Sequence, residues 1–189
     1  RAALRAFPSR MRVFNSVGDT DIDRFQESEL FPGTPVAIVH ASRDGEWWFV
    51  VSRRYAAWIE KRYVAEGSAQ QVFAYVDKVP YRVVTGAVER TVFTREQPAV
   101  SQLQLDMGVR LPLLNSWTAD QPVNGQHAYA SHVLELPLRA DDGSLRFAPA
   151  LLQKNADSAD AYRPLTSANV IRQAFKFLGE RYGWGHSYD

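Results

Sequence analysis

Apolar and polar positions along the chain change places at short range, in runs of four to eight residues between turn signals, so the pattern predicts strands over most of the length. Pro35 to His40 is apolar and β-branched, Asp44-Gly45 is a hairpin signal, and Glu46 to Ser52 follows as an aromatic-rich run. Tyr55 to Ile59 reads as a third strand, and Lys61 to Glu66 as a polar exit stopped by Gly67. Three short strands with tight turns suggest a small barrel. Before them, Asp19-Thr20 is expected to cap a helical turn from Asp21 to about Ser28, with Ile22, Phe25 and Leu30 on its buried side. A second β-rich block starts near Gln71 with Phe73 to Val76, then Tyr81 to Thr85 and Ala87 to Phe93. Val100, Leu103 and Met107 recur at helical intervals, which predicts a short helix over Pro98 to Met107 ended by Gly108. Strand character resumes over Val109 to Leu114, His127 to Leu138 and Leu145 to Phe147, with Asp142-Gly143 as a turn. Then the period changes: Thr166 or Ser167 is a good N-cap, and Val170, Ile171, Ala174, Phe175 and Leu178 share one face of a helix that runs to about Glu180. That apolar stripe calls for a larger core than the residues after it supply, so the chain reads as stopping at the start of a domain, with the stripe poorly covered within the chain.

Composition narrows the function classes. A net charge of +1 over 189 residues gives no pull toward nucleic acid. The longest uninterrupted apolar run, Trp47 to Val51, is far short of the roughly 20 residues that cross a bilayer, so no transmembrane segment is expected. Arg1 to Arg5 lacks the apolar stretch of a secretory signal. With no cysteine, disulfides, thiolate zinc sites and a cysteine nucleophile are excluded within these residues.

Candidate chemistry is sparse. His127 and His132, five positions apart on a strand, face opposite sides and cannot share a metal; they read as surface or capping residues, as does His40. Ser52, Ser101 and Ser116 lack the glycines of a nucleophile elbow, and no glycine-rich phosphate loop precedes a helix. No metal or other cofactor is implied. The aromatics say more: Trp47, Trp48, Tyr55 and Trp58 crowd adjacent strands, so alternation exposes some of them. Tyr55, after the Arg53-Arg54 corner, is the best placed to wall a ligand, although a structural tyrosine at a strand start fits composition equally well. After the final helix stands Tyr182-Gly183-Trp184-Gly185, whose two glycines allow a sharp turn and close approach to a partner.

The string from Pro164 through Phe175, continuing through Leu178-Gly179-Glu180-Arg181-Tyr182-Gly183-Trp184-Gly185, resembles the opening of the catalytic domain of NlpC/P60 cell-wall cysteine peptidases. In that family an Asp-Cys-Ser motif follows, so the resemblance implies a cysteine a few residues beyond Asp189. Upstream, Asp23 to Ser28, Gly33 to Val36, His40, Asp44-Gly45, Trp48 to Val50 and Trp58 resemble a first bacterial SH3 (SH3b) barrel of multidomain members, and Val83 to Gly86 with Met107 to Pro112 resembles a second. The implied fold class is mainly β: two tandem SH3-like small barrels, residues 1–70 and 71–160, followed over 161–189 by the first helix of a papain-like α+β catalytic domain. The implied activity is hydrolysis of peptidoglycan stem peptides between D-glutamate and the diamino acid by a cysteine thiolate that histidine activates. This chain alone, lacking the nucleophile, should then be inactive. Two functional positions carry over: Tyr182 as an oxyanion donor beside the nucleophile, and Tyr55 as the first-barrel tyrosine that selects the free amine end of the stem peptide. Glu27 is the candidate carboxylate for that ammonium, and Trp184 a further substrate contact. Gly185-His186 departs from the family's usual pair of glycines, and His186 is not the family's catalytic base, which lies far downstream. The implied partners are the stem peptide and the rest of the catalytic domain, in the same or a second chain; the implied place is the periplasm or the extracellular side of the cell envelope. The alternative is a non-catalytic SH3b module that binds wall peptides or a partner chain, and a third reading is an unrelated all-β protein.

Overall fold

The tight turn at Gly45, with φ of +77°, lets the β-branched and aromatic runs on either side fold back on each other, and this hairpin forms one edge of the first unit's sheet. The computed structural model describes residues 1–118 and 120–180. Among them the chain divides into two units, the first comprising Arg1–Glu66 with Arg139–Ser144, the second Gly67–Leu138 with Leu145–Glu180.

The first unit is a five-stranded antiparallel sheet of β1 (Ala2–Arg5), β2 (Gln26–Leu30), β3 (Ala37–Ala41), β4 (Trp47–Val51) and β5 (Ala56–Glu60), in the order β2-β1-β5-β4-β3. The hairpin and third strand stand as the pattern predicts. The expected helical turn from Asp21 to Ser28 does not form; Gln26 to Leu30 is instead strand β2, paired with β1, and its polar Glu29 is buried with Arg1 3.1 Å away. Leu4, Val50, Ala57, Ile59 and Val64 make the core, with Trp48 and Tyr55 packed on its edge. On the sheet's other face Trp47 is buried, and Arg10 lies over its ring while bonding to Glu60, the cross-strand partner of Trp47. Lys61 to Tyr63 closes the unit as a single 3₁₀ turn.

The second unit opens with a helix, not the strand expected over Phe73 to Val76: α1 spans Ala69–Val76. Then come β6 (Tyr81–Val84), β7 (Val88–Arg90), β8 (Gln104–Asp106), β9 (Arg110–Pro112), β10 (Ser131–Arg139), β11 (Leu145–Gln153) and β12 (Ser158–Ala159). They form small antiparallel sheets, β12-β6-β9, β7-β8 and β10-β11. The helix expected over Pro98 to Met107 is absent as well. Pro98–Val100 is one 3₁₀ turn, Gln102 takes a left-handed φ of +51°, and β8 then pairs with β7. Strand β11 runs on to Gln153, past Phe147 where the pattern ended it. Leu105, Leu111, Leu134, Leu136 and Leu152 are fully buried. Helix α2 spans Ser167–Phe175 with Thr166 as N-cap, its hydroxyl accepting from the Asn169 N–H at 3.2 Å, and 3₁₀-type bonds carry the chain on to Glu180.

Candidate functional site

Strand β2 and the corner before β5 are 28 residues apart in sequence but belong to one sheet, and they bring Tyr55 to Glu27: the phenol donates to Glu27 Oε2 at 2.5 Å. Tyr55 is held from both ends. Its N–H donates to Ser52 Oγ at 3.0 Å, and its carbonyl accepts from the Ser52 N–H and hydroxyl, each at 2.8 Å, which locks the Arg53-Arg54 corner. Its ring packs on the edge of the core. Both side chains are half-buried, so the pair is partly dry yet open to solvent. A carboxylate beside a phenol oxygen supplies acceptors on one spot, the arrangement that an ammonium, with three N–H donors and one charge, satisfies.

The remaining aromatics of the cluster are occupied otherwise. Trp48 carries the Lys61 ammonium over its ring at 3.8 Å, and Trp58 meets Phe49 and His40 edge-on at 5.4 and 6.0 Å. His40 is thus a surface histidine against an indole. Of the other positions the sequence singled out, Tyr182 and Trp184 lie outside the described residues. Among the described residues there is no group of three or more His, Asp or Glu arranged to hold a metal, and no helix long and apolar enough to cross a membrane.

Sequence reasoning missed the cluster that holds α2. Gln173 Nε2 and Lys176 Nζ both donate to the Thr85 carbonyl, at 2.9 and 2.8 Å, and Lys176 Nζ also reaches Asp157 Oδ2 at 2.5 Å. Thr85 Oγ1 donates to the other oxygen of Asp157 at 2.6 Å. The Lys176 ammonium first, and the Thr85 hydroxyl second, hold the Asp157 carboxyl below the usual carboxylate range. Thr85 stands 72 to 91 positions from its partners, and Lys176 stands 19 from Asp157, so no local signal announces them. At 3.6 residues per turn, Gln173 and Lys176 lie on the opposite side of α2 from Val170, Ile171, Ala174, Phe175 and Leu178. The helix is therefore fastened by its polar side, and its apolar stripe is exposed, Phe175 at 63% and Leu178 at 74%.

Residues 12–60 match the family described as SH3 domain (SH3b1 type). No curated protein matches the chain in sequence. Among solved structures, the chain is similar to an NlpC/P60 endopeptidase from Photobacterium damselae subsp. piscicida, with a TM-score of 0.75 and 19% sequence identity. The likeness covers 97% of this chain but only 37% of that one, so the chain spans little more than a third of that endopeptidase's length. At that identity the likeness speaks of fold. The first unit thus contains an SH3 domain of the SH3b1 type, in a mainly β chain that shares its fold with part of an NlpC/P60 endopeptidase.

Proposed function

We propose that this chain is the accessory, substrate-positioning part of a peptidoglycan stem-peptide endopeptidase of the cell envelope, cleaving between D-glutamate and the diamino acid with a cysteine nucleophile beyond Asp189. The observation that carries the reading is the Tyr55–Glu27 pair, since the two residues proposed to receive the free amine end of the stem peptide meet at 2.5 Å. An arriving ammonium takes over Glu27 Oε2 and the phenol oxygen as acceptors, and a charge-assisted contact of this kind discriminates against an acylated amine, which brings no charge and fewer donors. The exposed stripe of α2 supports the same reading. An apolar face held outward by polar contacts on its back suits docking by the rest of a catalytic domain, in which Tyr182 would stand beside the nucleophile as oxyanion donor and Trp184 would touch substrate.

The test uses the longer polypeptide with its catalytic cysteine and the tripeptide L-Ala-γ-D-Glu-diaminopimelate, with its amine free or acetylated. Glu27→Gln is expected to raise KM about tenfold or more for the free-amine peptide, with kcat little changed, because the contact acts on ground and transition state alike. The preference over the acetylated peptide should shrink by the same factor. An unaltered preference in Glu27→Gln would take the pair out of the site, and failure of the unmutated protein to cleave either peptide would leave a binding module.

A further inference from the structure

Within the second unit, β9 and its continuation run beside β10: Leu113 pairs with Leu134, and the Leu114 N–H donates to the Val133 carbonyl at 2.9 Å. Beyond that bond the segments 115–118 and 128–132 part, and an open cleft of about 410 Å³ lies between them, within the range of small-ligand sites. Its lining is specific in kind. Leu113 and Leu114 are apolar, Trp117 and Tyr129 are aromatic, and His132 and Lys154 are basic, while no Asp or Glu lines it among the described residues.

Both rings are braced. The Trp117 indole N–H donates to the Gln121 carbonyl at 3.0 Å, and Tyr129, two-thirds exposed, stacks on His127 with centroids 5.3 Å apart. An exposed tyrosine fixed in this way is an apolar wall with little rotamer freedom left to lose. The charges are placed with equal care. Lys154 Nζ donates to the Tyr129 carbonyl at 2.8 Å, which holds the ammonium at the cleft while leaving its charge uncompensated by that partner. Arg82 bonds to the Ser158 hydroxyl, again a neutral acceptor. Burial first, and then the positive charges of Arg82 and Lys154, hold the His132 imidazole below the ordinary histidine range. The lesser causes of that lowering are the two cations, whose positive field an incoming anion would relieve, while the neutral imidazole offers it an N–H donor.

We propose that this cleft binds the free carboxylate end of an extended peptide, with the carboxylate at Lys154 and His132 and the preceding side chain against Trp117 and Tyr129. A carboxylate fits because the cleft offers the Lys154 ammonium and the His132 imidazole and, among the described residues, no competing carboxylate. An extended chain fits because the cleft opens past the last backbone bond of β9's continuation to β10, between the turn segments 115–118 and 128–130, where a strand-like backbone has room to enter. The inference concerns the second unit and stands independently of the endopeptidase reading.

The probes are N-acetyl-alanyl-alanine, its C-terminal amide, and glucuronic acid as a saccharide carboxylate, titrated at millimolar concentrations into the 1–189 chain and followed by NMR. The acid should shift the Trp117 indole N–H signal saturably, and the amide should bind about tenfold or more weakly, the loss of one charge-assisted contact. Lys154→Met should weaken the acid by a similar factor, and Lys154→Arg should restore it, with unchanged backbone spectra showing that both variants fold. Equal titration by acid and amide, no saturable shift with the acid, an undiminished response in Lys154→Met, or tighter binding of glucuronic acid than of the peptide would each overturn the proposal.

Discussion

Asp23 is the residue on which the irregular segment before β2 depends. Its carboxylate accepts from Arg5 at 2.7 Å and from the Val13 and Phe25 N–H groups, each at 3.0 Å, while Arg5 also bonds to the Met11 carbonyl. Burial alone would push its pKa up; the two backbone bonds and the Arg5 guanidinium outweigh burial and hold it below the ordinary value. A folded pKa lowered in this way contributes stability that is present above the unfolded value, near 4, and is lost as pH falls through the folded one. Asp23→Asn should therefore cost about 3–5 kcal/mol at neutral pH, because Arg5 stays buried without its counter-charge. Urea unfolding at pH 7 and near pH 3 checks this: the gap between the two proteins should narrow in acid, and an equal gap at both would mean that the charge is not what matters. None of this was legible in the sequence, where Asp23 is one of several acidic residues before a turn and its guanidinium partner stands 18 positions away. Tyr55 was legible as an aromatic after the Arg53-Arg54 corner, but its pairing with Glu27 only through the family they resemble; spacing alone does not place a residue of β2 beside the corner before β5.

At the scale of elements, local backbone chemistry overrides both side-chain propensity and apolar period. Phe73, Tyr75 and Val76 are good strand formers, yet Ser68 and Gln71 make a capping box, with Ser68 Oγ accepting from the Gln71 N–H at 3.2 Å and Gln71 Oε1 accepting from the Ser68 N–H at 2.9 Å. Two backbone donors are thereby satisfied where a helix begins, and Tyr75 then turns inward, its buried hydroxyl donating to the Glu135 carbonyl at 3.1 Å. Ser68→Ala should lower the stability of the second unit by about 1 kcal/mol, and a larger loss of helical circular dichroism than of stability would show that α1 frays on its own. The Pro98 to Met107 stretch failed the other way: its apolar period is helical, but Pro98 begins only a 3₁₀ turn and the left-handed Gln102 stops it. Asn124-Gly125 is a turn signal that the sequence carries openly. With φ of +47° and +75° they form a turn that pairs Val123 with Gln126, and Asn-Gly is the strongest two-residue signal for such a reversal. The hairpin on Gly45 and the helix capped by Thr166 were read well because each carries its start, its stop and its periodicity within a few residues of itself.

For the whole molecule, the consequential feature is a helix whose apolar stripe finds no cover among the described residues. Val170, Ile171, Phe175 and Leu178 are each more than half exposed, whereas Gln173 and Lys176 are spent on Thr85 and Asp157. Fully burying a side chain of this size contributes about 1.5–3 kcal/mol, so four of them together make a strong incentive for association. The 1–189 chain in isolation should accordingly self-associate with rising concentration, seen as a growing weight-average sedimentation coefficient. Phe175→Asp combined with Leu178→Asp should abolish that dependence while shifting thermal stability by no more than about 0.5 kcal/mol per site, since both side chains are already in water. Lys176→Ala provides the contrast. It removes the hold on Asp157 and one of the two on Thr85 without touching the stripe, so it should loosen α2, measured as faster amide exchange over residues 167–175, and leave the apolar surface available. A chain that stays monomeric at all concentrations, or a double aspartate variant that associates as before, would mean that the stripe is not a docking surface and would remove that support from the endopeptidase reading.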